Sequence, residues 1–127
     1  MQSIKGLTAE VEIKTVPCLV KRGTAAGTFT PTDAVNDDVL GYVTARKAKG
    51  DTAAIYADSG VTRLLAEGTI AQDAKCIPSA ATDGSIKTAT GAAPGSTLVC
   101  KALHDAADGD LVEVLYYALH ESVPTPP

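Results

Sequence analysis

The sequence predicts an all-β fold: a small, compact domain of the β-barrel or β-sandwich kind, with at most one or two short helices. Three observations carry that expectation. From Glu10 onward, apolar and polar residues alternate over short runs that Gly, Asp, Asn and Pro interrupt, the pattern of antiparallel strands joined by tight turns. Two interruptions, Asp58-Ser59-Gly60 and Thr82-Asp83-Gly84, hold a Gly that permits positive φ, as hairpin turns require. Three strands also open on one device, Gly50-Asp51, Gln72-Asp73 and Gly109-Asp110, in which a carboxylate can accept from turn amides. The device recurs without a fixed period, so it is shared turn chemistry and not a solenoid repeat.

In chain order, the first strand sets Val11, Ile13 and Thr15 against Glu10, Glu12 and Lys14. Pro17 then interrupts it, which suits an edge or a bulge because Pro donates no ladder hydrogen bond, and residues 18–22 are expected to resume the same edge. Residues 23–38 are rich in loop formers without a sustained period and predict a long surface loop. Strands follow at 39–45, 52–57, 61–66, 73–78, 85–90, 97–103 and 111–119. A helical turn is conceivable only over 101–107, where Ala102, Leu103, Ala106 and Ala107 share a face before Gly109. The closing strand is apolar on both sides: Val112, Val114, Tyr116 and Ala118 on one, Leu111, Leu115, Tyr117 and Leu119 on the other, with Glu113 breaking the pattern. Such a strand is either central and covered twice or lies at a subunit contact. Leu115, Tyr117 and Leu119 are therefore candidate interface residues, with Tyr116 given to the core. The Pro-rich tail, 120–127, should lie extended on the surface.

A chain of 127 residues allows one domain. Val, Ile, Leu and Phe together supply only 28 of them, there is no Trp, and the aromatics are Phe29, Tyr42, Tyr56, Tyr116 and Tyr117. A core this thin favours oligomerisation, because small domains bury a smaller share of their surface. The net charge of −4 and scattered basic residues argue against a phosphate footprint on nucleic acid. The longest apolar run, 114–119, is far short of the roughly 20 residues that cross a bilayer. Residues 1–6 lack the apolar stretch of a secretory signal, and Cys18, Cys76 and Cys100, odd in number and widely spaced, fit free thiols in a reducing compartment.

No catalytic or cofactor signature emerges, and no metal site, cofactor or enzymatic activity is expected. Cys100 and His104, even with Cys18, Cys76 and His120, lack the two close ligand pairs of a structural zinc site. His104-Asp105 and the serines Ser85 and Ser96 form no nucleophile elbow. The paired glycines at 23–27 and 91–95 lead into no phosphate loop. Asp33, Asn36, Asp37 and Asp38 lack the spacing of a calcium loop, and Arg46, Lys47 and Lys49 read as a solvated turn or a contact for an acidic surface.

The order of segments carries more information. Val39-Leu40-Gly41-Tyr42-Val43-Thr44-Ala45, Gly50-Asp51, Ser59-Gly60-Val61, Gln72-Asp73, Asp83-Gly84, residues 98–103 and Gly109-Asp110-Leu111-Val112-Glu113-Val114 follow one another as in a known family. The chain resembles the small capsid decoration, or cement, proteins of tailed bacteriophages, the class of the lambda head decoration protein. It departs from their pattern at Gln72, where a Gly is typical, and at 98–100. The resemblance implies a β-rich domain that is made in the host cytoplasm, sits on the outer surface of the virion's icosahedral head, and clamps neighbouring major capsid protein subunits as a homotrimer at threefold and quasi-threefold positions. It also implies a division into a flexible N-terminal capsid-binding arm over 1–10, a β domain over 11–119 and the tail. Ile4, Lys5, Leu7, Thr8 and Val11 are the arm residues suited to β-augmentation, and three arms on one trimer would add avidity. The alternatives are a head-completion or tail structural protein of the same virion, or a non-viral ligand- or carbohydrate-binding β domain, for which the aromatics are few.

Overall fold

The computed structural model describes residues 3–14 and 16–123, in which all regular structure is β. The strands are β1 (Ser3–Ile4), β2 (Thr8–Ala9), β3 (Cys18–Arg22), β4 (Thr28–Pro31), β5 (Val39–Val43), β6 (Ile55–Tyr56), β7 (Gly60–Leu65), β8 (Lys75–Pro78), β9 (Ile86–Thr88), β10 (Thr97–Ala102) and β11 (Leu111–Ser122). They form a six-stranded sheet in the order β1-β6-β5-β3-β4-β2 and a five-stranded sheet in the order β7-β11-β10-β8-β9. Strand pairing is antiparallel throughout these sheets except between β2 and β4.

Both sheets curl until their edges meet. In the first, β2 pairs with β4 on one side and on the other reaches the segment that leads into β6: Thr8 bridges Thr52, the Ala9 N–H donates to the Asp51 carbonyl at 2.9 Å, and the Gly50 N–H donates to the Ala9 carbonyl at 2.8 Å. In the second, Ala66, just past β7, bridges Ile86 in β9, and the Glu67 N–H donates to the Ile86 carbonyl at 2.8 Å.

Each curled sheet encloses its own core. Ala9, Ile13, Cys18, Val20, Phe29, Val43, Ala53 and Ile55 fill the first. The second holds Leu64, Ile70, Cys76, Ile86, Val99, Cys100, Val112, Val114 and Tyr116, together with Leu19, Val39 and Tyr42 from the back of the first sheet. Strand side chains alternate between faces, so β3 sends Cys18 and Val20 into one core and Leu19 into the other.

Several sequence expectations are corrected here. Residues 18–22 form no edge: β3 lies between β5 and β4, because three successive apolar residues fit only where both faces are covered. The 23–38 loop contains β4, which Gly27, at a φ of 77°, turns back onto β3. Asp58-Ser59-Gly60 joins no hairpin; it carries the chain from β6 in one sheet to β7 in the other. Thr82-Asp83-Gly84 does close a hairpin, between β8 and β9. The stretch 101–107 is not helical, since Ala102 ends β10 and Ala106 bridges Ile70, which points both small side chains into the second core. The last strand runs on to Ser122, where it pairs with Thr97; residues 124–127 of the expected tail lie outside the described part. Within the expected 1–10 arm, Ser3–Ile4 pairs with β6 and Thr8–Ala9 with β4, and residues 1–2 lie outside the described part.

The β8–β9 turn is also where the sheets are stitched together. The Leu19 N–H donates to the Gly84 carbonyl at 2.8 Å, the Gly84 N–H to the Thr32 carbonyl at 2.8 Å, and the Thr32 N–H to the Leu19 carbonyl at 3.0 Å. Gly84 has a φ of 78°, and a Cβ there would collide with Cys18 Sγ. Gly91, at a φ of 74°, has open space around it. Gly84→Ala should therefore cost about 2–4 kcal/mol, the left-handed penalty plus overpacking, against about 1 kcal/mol for Gly91→Ala. Urea unfolding of the two variants measures the difference, and equal losses would refute the stitching role of Gly84.

Candidate functional site

Among the described residues, the outward face of β7 and β11 carries three of the four exposed large aliphatic side chains; Val11 is the fourth. Three registered pairs stand in a row there: Leu115 beside Val61, Glu113 beside Arg63, and Leu111 beside Leu65. Val61 is 60 % exposed, Leu111 48 % and Leu115 37 %. The Arg63 and Glu113 side chains approach to 3.8 Å between the two apolar pairs, and both are open to water, so the pair contributes little to stability. On the neighbouring strand Lys101 lies beside Leu115, with Lys75 beyond it in β8, so the apolar ridge grades into a basic one. The opposite face of β11 sends Val112, Val114 and Tyr116 into the core.

Of the interface residues expected from sequence, Leu115 lies on this ridge and Tyr117 is half-buried further along β11; nothing is described of the Leu119 side chain. Val61 and Leu111 complete the ridge and were not singled out by sequence. Leu111 shares a face with Leu115 at a spacing of four, but Val61 joins them only through strand pairing that no local pattern reveals.

The arm residues are divided. Ile4 and Leu7 pack against the first core, and Thr8 belongs to β2. Lys5 and Val11 are exposed. Beside them Glu10 anchors the segment. Its carboxylate accepts from the Ala25 N–H at 3.0 Å, from the Thr28 hydroxyl at 2.9 Å and from the Thr24 hydroxyl at 3.0 Å. These bonds, led by the Ala25 amide, hold the Glu10 carboxyl below its ordinary value.

Other polar clusters have structural partners. Lys21 Nζ bridges Asp33 Oδ1 at 2.5 Å and Asp37 Oδ1 at 3.1 Å, while Asp37 Oδ2 accepts from the backbone amides of Asp33 and Ala34. The acidic turn is thus organised around a lysine, which holds the Asp33 carboxyl below its usual range. His104 Nε2 accepts from the Glu113 N–H at 3.1 Å, which leaves Nδ1 as the donor to the Asp105 carbonyl at 2.9 Å. His120 Nε2 lies 3.1 Å from the Tyr116 hydroxyl, and burial pushes its pKa down. Cys76 and Cys100 face one core and Cys18 the other. Among the described residues, no three His, Cys, Asp or Glu side chains converge as a metal site. Arg46, Lys47 and Lys14 line an open groove of about 500 Å³ with Glu12, Ile13 and Ala48.

No protein-family model matches the chain, and no curated protein matches it. Among solved structures the fold is similar to the N base of the head fiber gp8.5 of bacteriophage phi29, with a TM-score of 0.66 at 17 % sequence identity, over 92 % of this chain and 94 % of that one. The likeness spans both curled sheets and establishes a shared fold.

Glu10 supplies a direct test of how the N-terminal segment is held. A carboxyl whose folded pKa is depressed stabilises the fold above its unfolded pKa and loses that contribution as pH falls through the folded value. Below the ordinary glutamate value of 4.5, the bonds to the 24–28 turn should therefore weaken. In an NMR titration the Ala25 amide resonance should shift with Glu10 protonation, and Glu10→Gln should place it near its acid position at neutral pH. An Ala25 amide insensitive to both changes would contradict the anchoring.

Proposed function

We propose that this chain is a structural, non-catalytic protein of a tailed-phage virion that decorates the outer surface of the head, binding the major capsid protein as a homotrimer. The observation that carries this reading is the similarity, over nearly the full length of both chains, to the base of a phage head fiber. The segment order quoted above points to the same class independently.

The molecule offers two surfaces suited to that role. The ridge of Val61, Leu111 and Leu115 is the natural contact between copies: its burial would remove exposed aliphatic surface that a lone subunit leaves in water. The free edge of β1 is the natural contact with the shell. Among the described residues β1 pairs with β6 and ends its sheet, so its outer edge is suited to an incoming capsid strand. In this arrangement Ile4 and Leu7 stay in the domain core, and the expected arm acts as an edge without leaving the fold. In this reading a trimer clamps by joining the capsid subunits that its three edges reach.

The purified protein should sediment with mature, expanded heads in fixed ratio to the major capsid protein, whereas a head-completion or tail component would appear in only a few copies. Analytical ultracentrifugation should give a trimer for the wild type and a monomer of unchanged circular dichroism for Leu115→Asp combined with Val61→Asp. Truncation before Gly6 leaves the β2 closure intact and should weaken binding to heads at least tenfold, about 1.4 kcal/mol. Failure of the intact protein to bind heads would overturn the decoration role; a trimer that survives the double Asp substitution would overturn the ridge.

A further inference from the structure

Cys76 in β8 and Cys100 in β10 stand directly opposite each other in an antiparallel ladder. Both side chains enter the same core, both are fully buried, and both thiols are free. Opposed residues of an antiparallel pair have Cα atoms about 4.5–5.5 Å apart, inside the range of about 4.4–6.8 Å that a disulfide spans. They also project to the same side of the sheet, so the ladder supplies both the distance and the direction.

We propose that Cys76 and Cys100 are a latent cross-strand disulfide, open when the chain is made in a reducing compartment and closed by a peroxide once it leaves. The thiols already interact. The contact between the two thiols holds Cys76 below the ordinary thiol value and, with burial, pushes Cys100 above it, while Cys76 Sγ can donate to the Ala74 carbonyl at 3.6 Å. Whichever thiol loses its proton first is the nucleophile, here taken as Cys76, because the thiolate is the attacking species. Cys76 sulfur, as the thiolate, attacks one oxygen of hydrogen peroxide; the O–O bond breaks, and the hydroxide that leaves takes up the proton Cys76 gave up, leaving a sulfenic acid and one water. Cys100 sulfur then attacks the Cys76 sulfur, the S–O bond breaks, and the departing hydroxide takes the Cys100 proton. Two thiols and one peroxide become one disulfide and two waters, with the sulfurs oxidised and the peroxide reduced.

Cys18 is the internal control. It faces the other core, and burial pushes its thiol up to about 12. Because Cys76 and Cys100 are sealed, the oxidant enters by local opening of β8, so closure is slow but leads to a bond that needs no rearrangement of the ladder. The bond would fasten β8 to β10 around the segment that contains β9 and the Gly84 stitch, and it holds as an expectation whether or not the chain binds capsids.

The test uses the intact wild-type chain. After incubation with hydrogen peroxide, the protein is unfolded in the presence of an alkylating agent and examined by mass spectrometry. Expected are a mass lower by about 2 Da before alkylation, a single alkylated thiol at Cys18, a crosslinked pair of peptides containing Cys76 and Cys100, and reversal by a thiol reductant. Tm should rise by about 5 °C or more. Cys18→Ser should leave the bridge intact, while Cys100→Ala should convert the outcome to oxygen adducts on Cys76. Three alkylated thiols, oxygen adducts on the wild type, or a bridge that involves Cys18 would each overturn the proposal.

Discussion

The architecture depends on one strand that is buried on both faces. Cys18 and Val20 line one core and Leu19 the other, so β3 is the wall that two curled sheets share. β5 beside it does the same, with Val39 and Tyr42 in the second core and Val43 in the first. Val39 and Tyr42 can face one way despite an odd spacing because the pairing of β3 with β5 slips between Val20 and Lys21. Gly41 lies within that irregular stretch, where any Cβ would strike the carbonyl oxygen of Tyr56. A shared wall is an efficient use of a small apolar complement: Cys18, Leu19 and Val20 each serve a core, and Lys21 and Arg22 carry the strand out toward the surface. It also makes the sheets interdependent, since the Leu19–Gly84–Thr32 backbone bonds run through the same wall.

The two sheets are joined a second way, through rings. Tyr56, Tyr42, Tyr116 and His120 form a chain of contacts with centroid separations of 5.7, 5.2 and 5.4 Å, the last two edge-to-face. Edge-to-face rings contribute about 0.5–1.5 kcal/mol beyond the area they bury. Three of the five aromatic residues are thus committed to the junction, and Phe29 fills the first core. The scarcity of aromatics noticed in the sequence reflects a domain whose large side chains sit where two small cores meet.

Local chemistry was legible in the sequence. Alternation, Gly and Asp identified the all-β class, the 82–84 hairpin and the closing strand, because these depend on a few adjacent residues. Long-range pairing was not. Nothing local distinguishes the central strand at 18–22 from an edge, since Pro17 suits an edge by itself and only the coverage of both faces overrules it. The 58–60 turn has hairpin residues yet connects two sheets, because β6 is claimed by β5 and β1 before β7 can pair with it. The same limit applies to the surface: Leu115 was visible as an apolar residue with no obligatory core role, whereas Val61 becomes its neighbour only through the β7–β11 register. A shared fold at 17 % identity expresses the same physics, as alternation and turn geometry tolerate wide substitution while the coverage of each face does not.

The proposed trimer places a further demand on that surface. A twofold dimer pairs one patch with itself, but a threefold ring is heterologous: each subunit must offer two different patches that fit one another. The Val61–Leu115 ridge is one such patch. Overlapping it at Arg63 and Leu111, an open groove of about 380 Å³ is lined also by Val16, Pro17, Thr44 and Thr62. The groove is largely apolar and has Arg63 at its margin; the ridge has Glu113, the residue that faces Arg63 within the subunit. Burying a Leu or Val side chain contributes about 1.5–3 kcal/mol, so the ridge alone cannot hold a ring against the cost of association. A ridge seated in a neighbour's groove would exchange the weak exposed Arg63–Glu113 pair for one shielded from water, where opposite charges attract more strongly. Such a ring would draw its strength from complementarity between two features of one face, and a domain with a thin core of its own would then be completed by copies of itself.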